Sequence, residues 1–246
     1  LLSFSKIYKE ICEAKFIRKK VFPFISAFID SDGNDVSSCC FSFLVSLIPE
    51  IGEESIQKLI SISHIISKSK NTNSRLAAVH SFPILLQYAT EDKDKYFDDI
   101  ILESLHDACY LVQTHSVRIA AAHVDLIKDI SPLLAISNDP SWKVKYSLIE
   151  NIGVFIKSFK EFENVLFYFA RSKDIMVSLR ESAFYQMGVH FDIISNTNEI
   201  YCCVDVALRQ KEDNLIIAGL LLIPKIYNKN KDLVQQFQSL LTRFRS

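Results

Sequence analysis

Apolar residues recur at three- and four-residue intervals along nearly the whole chain, and strict alternation is hardly sustained anywhere. That periodicity belongs to helices with one buried face. The chain also holds only 5 Gly and 6 Pro in 246 residues, where average usage would give about 30 of the two together. Hairpin turns and phosphate-cradling loops both need glycine. The shortage therefore argues against a β-barrel or an ordinary α/β enzyme and for long helices joined by short polar turns. With 49% apolar residues, the chain can bury a continuous core.

Polar breaks at 30–35, 69–74, 90–95, 137–141, 172–174, 195–198, 210–214 and 228–232 divide the pattern. Periodicity and breaks together predict thirteen helices, at 5–12, 14–29, 35–49, 53–69, 73–89, 94–112, 115–130, 140–158, 160–172, 175–193, 198–210, 213–227 and 231–245. Asp139-Pro140 reads as a helix start, with Asp139 as the cap and Pro140 at the first helical position. Nothing among the breaks reads as an interdomain linker, so residues 1–246 are expected to form a single domain. The first residue is Leu1, not Met, and the expectation is a fragment of a longer repeat array.

Formal charges nearly cancel, at a net -1, which provides no field to draw the chain onto nucleic acid. No apolar run approaches the roughly 20 residues of a membrane span. The six cysteines, Cys12, Cys39, Cys40, Cys109, Cys202 and Cys203, lie among aliphatic and aromatic residues and include no CxxC pair. They read as reduced, buried thiols in a cytoplasmic or nuclear setting. His106 and Cys109 could share a helix face, yet no second cluster completes four metal ligands. GxSxG, HExxH, GxGxxG and the phosphate-loop motif do not occur, so no enzyme, metal or cofactor is expected. The basic clusters Arg18 to Lys20, Lys68 to Lys70 and Arg243 to Arg245 read as solvated faces, and the aromatic run from Phe155 to Phe169 as core.

Internal repetition decides the fold class. Segments 116–127, 142–153 and 178–188 align on Arg118, Lys145 and Arg180, each preceded by Val117, Val144 or Leu179. Asp139 and Asp174 stand six residues before two of the three, and a weaker copy carries Arg75. The basic position recurs after 43, 27 and 35 residues from Arg75 to Arg180, and the short interval implies a stunted helix near Ser131 to Ile136. A lone helix pair cannot bury both of its faces, so each pair must stack on the next. The expected fold class is all-α: an α-solenoid of about six stacked antiparallel pairs, with basic heads and turn aspartates (Asp139, Asp174, Arg180) forming a ladder between repeats.

The aspartate, the Val-Arg unit and the following alanine resemble the second helix of a HEAT repeat. The segment DPSWKVKY, Asp139 to Tyr146, resembles one found in scaffold (A) subunits of protein phosphatase 2A and in phosphatase 4 regulatory subunits. The resemblance implies a non-catalytic, protein-binding scaffold whose partners are a phosphatase catalytic subunit and a regulatory subunit. It places the contacts on the turns within repeats, here Thr114, Ser116, Asp139, Trp142, Lys143, Lys173 and Asp174. Trp142 stands either as a packing seal or as an anchor for a partner. The alternative is a transport or trafficking adaptor of the karyopherin or adaptin kind, which would bind cargo on its inner helix faces.

Overall fold

The computed structural model describes residues 13–29, 35–89 and 93–229. The helices expected at 5–12 and 231–245, together with Cys12 and the Arg243 to Arg245 cluster, lie outside the described residues. Within them the chain is helical and no strand occurs. Helix α1 covers residues 14–26 and contains a π-helical turn, Ile17–Val21. It is followed by α2 (Asp35–Ser46), α3 (Glu53–Ser67) and α4 (Thr72–Leu86). Helix α5 spans residues 93–104, again with a π-helical turn, Asp98–Leu102, and leads to α6 (Tyr110–Ala122). The remainder are α7 (Ser131–Ala135), α8 (Trp142–Ser158), α9 (Glu161–Arg171), α10 (Val177–Val189), α11 (Thr197–Leu208) and α12 (Asp213–Lys229).

Packing divides the chain into two compact units, Leu1–Pro132 and Leu133–Ser246, the division falling within α7. In the first, α1 packs on α2, α3 on α4 and α5 on α6, while α2 touches α4 and α4 touches α6. In the second, the short Ile136–Asn138 turn packs on α8, α9 on α10 and α11 on α12. There α8 touches α10 and α10 touches α12, and α9 touches α11. Each unit is thus built from helix pairs whose neighbours in sequence are also neighbours in space.

Four of the joints inside pairs share a register. Numbering the fourth residue of the second helix as zero brings Arg75, Gln113, Lys145 and Arg180 into register. The preceding residue, Ser74, Val112, Val144 or Leu179, is buried every time. Six residues before zero stand Ser69, Asp107, Asp139 and Asp174. The side chains of the first three each accept the backbone N–H two residues on, from Asn71, Cys109 and Ser141, closing a tight turn before the helix. At three of the four joints the zero residue reaches the other way, toward carbonyls at or just past the end of the first helix, which have no partner within that helix. Arg75 Nη1 donates to the Ser69 and Lys70 carbonyls, Gln113 Nε2 to that of Leu105 and Arg180 Nε to that of Ala170.

This register corrects three expectations. The equivalent of Arg75 is Gln113, not Arg118, and the intervals become 38, 32 and 35 residues. The stunted α7 accounts for the one that remains short. The break expected near 113 lies at residues 105–109 instead, where Asp107 closes the turn, and α6 stops at Ala122 before a short 3-10 turn, Val124–Leu126. Helix α8 starts at Trp142, with Ser141 as its cap residue; Asp139 and Pro140 belong to the turn before it.

The expected ladder is also different in detail. The Arg75 guanidinium grips the Asp107 carboxylate through two bonds, of 2.6 and 2.9 Å, and so ties the α3–α4 pair to the turn of the next. Arg180 forms no such pair with Asp174. It is buried, its Nη2 has no partner, and burial pulls its pKa down while the Glu212 charge offsets part of that loss. Between α9 and the start of α11 the link is Glu163, whose buried carboxylate accepts from the Ser195 amide, the Ser195 hydroxyl and the Asn196 amide.

The core follows the helical period. Phe162, Val165, Leu166, Phe169 and Ala170 of α9 are buried together. Of the aromatic run expected in the core, Phe155, Phe162, Phe167 and Phe169 are buried, and Tyr168 is exposed. Only Cys203 among the described cysteines is fully buried, and burial pushes its pKa up to about 12. Cys39 and Cys202 are exposed, contrary to the expectation of buried thiols.

Replacing Asp107 by Ala removes both the paired carboxylate and the turn bond to Cys109. We expect a loss of about 3 kcal/mol, with faster amide exchange through α4 and α6. Asp107→Asn keeps an acceptor for Cys109 and should lose less.

Two histidines make stability depend on pH. Burial, and then the His115 ring stacked 4.2 Å away, hold the His80 pKa below its usual value; burial, and then Lys157, do the same for His190. Because the unfolded chain takes up these protons first, stability is intact above about pH 6.5 and drains as pH falls below it. Urea midpoints should drop between pH 7.5 and 5.5, and His80→Gln should flatten that slope.

Candidate functional site

The candidate contact residues fall into two groups. Thr114 and Ser116 lie inside α6, not on a turn, and both are buried. Their hydroxyls donate to the Leu111 and Val112 carbonyls, one turn back along the same helix. Their assignment to a turn followed from aligning on Arg118, five residues out of register. Asp139, Trp142 and Lys143 do lie at the joint before α8, and Lys173 and Asp174 at the joint between α9 and α10. Lys143, Lys173 and Asp174 are exposed, and Asp139 is half-buried. Trp142 is 47% exposed, with the Lys143 ammonium 5.9 Å from its ring centre. A packing seal would be covered, and Trp142 is not.

The larger feature is one the sequence did not reveal. In the second unit, Tyr146, Ile149 and Glu150 of α8 share a cavity with Glu181, Tyr185 and Gln186 of α10. One helix further on, Tyr185 and Val189 of α10 face Ile217 and Leu221 of α12 across a groove of 590 Å³. In both cases the early residues of one helix meet the early residues of the next, and the late meet the late, so α8, α10 and α12 run parallel. Gly153 of α8 packs beneath His190 at the end of α10, and Gly188 of α10 lies beside Leu222 of α12, in keeping with that direction. A Cβ on Gly153 would overlap the His190 ring.

The groove walls are apolar and accessible. Tyr185 is 69% exposed, Leu221 70%, Val189 55% and Ile217 54%. Contiguous exposed apolar side chains of this size are a mark of interaction surfaces. Glu181 borders both cavities, with Glu150 beside it, at the end nearer the helix starts. The Glu150 charge raises the pKa of Tyr146, which also hydrogen-bonds to it. At the opposite end, Lys225 donates to the Gly188 carbonyl at 2.5 Å. Among the described residues the groove is therefore acidic at one end and has its lining cation, Lys225, engaged at the other.

Among the described residues, no group of three His, Cys, Asp or Glu side chains is placed to hold a metal ion. His106 and Cys109 lie on the turn between α5 and α6 rather than on one helix face. His64 stands 3.6 Å from Asp99, and His80 stacks on His115. No described helix is long and apolar enough to cross a membrane.

No family model matches the chain, and no curated protein does either.

Because Leu221 projects from the groove wall, Leu221→Ser should leave thermal stability within about 0.5 kcal/mol. The same change should reduce the fluorescence of an apolar dye bound to the protein. A fall in stability comparable to a core truncation would show instead that the side chain is packed.

Proposed function

We propose that the chain is a non-catalytic scaffold that binds other proteins, each unit being a run of three HEAT-like pairs of an α-solenoid. The observation that carries the binding role is the exposed apolar strip along α8, α10 and α12, through Tyr146, Tyr185, Val189, Ile217 and Leu221. The solenoid reading is supported by the joint that recurs in full at Ser69/Arg75 and Asp107/Gln113, where the earlier side chain closes the turn and the later one caps the first helix, and in half at Asp139 and at Arg180. Packing of each pair mainly on its sequence neighbours agrees with it.

The partner that the resemblance at Asp139 to Tyr146 points to is a 2A-type serine/threonine phosphatase, with this chain as a scaffold or regulatory subunit. The support is Trp142, half-exposed beneath the Lys143 ammonium at the joint before α8; tryptophan is prominent among the residues that dominate binding energy. The second reading is an adaptor that takes cargo on its helix faces, and the position of the groove on second helices instead of turns favours it.

An affinity-tagged chain should retain a phosphatase catalytic subunit. Trp142→Ala combined with Lys143→Glu should cut that retention about tenfold, with helical circular dichroism unchanged. If the intact chain retains no phosphatase, the phosphatase identity fails. If retention is lost only when groove residues are changed, the turns are not the contact.

A further inference from the structure

We infer that the groove between α10 and α12 receives an amphipathic helix of a partner protein, carrying large aliphatic side chains at helical spacing and a Lys or Arg over Glu181. This occupant rests on reading the chain as a protein-binding scaffold and names what that surface takes. The walls are themselves helices, whose backbone groups are bonded internally, so they offer an extended segment almost nothing to pair with. A strand lying there would leave its own N–H and C=O groups unpartnered, whereas a helix brings its bonds with it. The groove runs from Glu181 to Val189 on one wall and from Asn214 to Lys225 on the other. At 1.5 Å per residue that is about 12 to 17 Å, or two to three turns. Anchors at i, i+4 and i+7 on one helix face fill that length.

Charge sets the polarity of the occupant. Glu181, which shares the neighbouring cavity with Glu150, makes one end acidic, and among the described residues no cation lines that end. Lys225, at the other end, is already held by the Gly188 carbonyl. A basic side chain over Glu181 gains an opposite charge beside a low-dielectric wall, while an acidic one meets like charge. Tyr185, which forms the ridge between the two cavities, can offer its ring face to the same cation.

The test is selection of a phage-displayed library of helix-favouring 16-residue peptides on the purified chain, with subtraction on Leu221→Asp. Recovered peptides should carry aliphatic residues at i, i+4 and i+7 and a Lys or Arg near one end. In fluorescence anisotropy, a recovered peptide should lose about tenfold in affinity on Leu221→Asp and about fivefold on Glu181→Lys. Exchanging its base for Glu should restore binding to Glu181→Lys. Circular dichroism of both variants should match that of the parent, since both positions lie at the groove surface. Failure to recover any peptide overturns the proposal, as do peptides that bind Leu221→Asp equally well or carry acid in place of base. Concentration-dependent self-association abolished by Leu221→Asp would make a second copy the occupant and overturn it too. Phosphatase retention with an empty selection removes the helix and leaves the scaffold reading. Peptides without phosphatase retention leave the helix and remove the phosphatase.

Discussion

The structure depends on how each helix pair closes at its joint. At the end of a first helix the last carbonyls lack partners, and at the start of a second helix the first amides do. Both sets converge on a turn of a few residues, next to a packed core where an unpaired group is expensive. At two joints a pair of side chains six residues apart resolves this, and at two more one member of the pair does so. The earlier one, Ser69, Asp107 or Asp139, accepts from the incoming amide, and the later one, Arg75, Gln113 or Arg180, donates to the outgoing carbonyls. With the joint fixed, the residue before zero is driven into the core, and helical geometry carries the positions at plus three and plus seven there as well. Ala78, Ser116, Leu148 and Ala183 occupy the first of these, Phe82, Ala120, Ile152 and Met187 the second, and all are buried.

Arg75 extends the same device from one pair to the next. Its guanidinium has enough donors to serve two carbonyls of its own pair and still grip Asp107 at the following joint. Gln113 serves the Leu105 carbonyl with a neutral amide, so the motif at the third joint operates without a charge. Glu163 does the comparable work between α9 and the start of α11 from the acidic side, its two oxygens taking two amides and a hydroxyl. Links of this kind order successive pairs without demanding a single shared core, as expected where each pair relies on its neighbours.

Much of this was legible. The 3.6-residue period and the polar breaks located most helices, and Pro132 and Pro140 announced the stunted helix α7. The repeat register was not, because glutamine at 113 performs a task that arginine performs elsewhere, and Arg118 five residues later offered a more familiar match. That slip carried Thr114 and Ser116 onto a turn they do not occupy. The groove was invisible for a different reason. Tyr185, Val189, Ile217 and Leu221 keep the same helical spacing as core residues, and periodicity reports that a side chain is apolar, not whether another element covers it. Only the arrangement of α10 against α12 shows that these four are left uncovered by the described residues.

The two surfaces of the second unit differ in what they can recognise. At the joints the backbone groups are largely spoken for by side chains of the chain itself, so what remains for a partner is the projecting apparatus of Trp142, Lys143, Lys173 and Asp174. On the proposed scaffold reading such a surface, rimmed by solvent, would discriminate by charge and by one aromatic anchor, and its ion pairs would be individually weak. The groove offers the converse, a length of apolar wall with acid at one end, where burial of aliphatic side chains supplies affinity at roughly 25 cal/mol per Å² and Glu181 supplies direction. Helix ends and helix sides are different faces of the same pair, so one bound chain need not exclude the other. A partner able to touch both would bind through a second, intramolecular contact and gain affinity with no change in either surface. In such a complex the charged ridge and the apolar groove would each raise the affinity of the other.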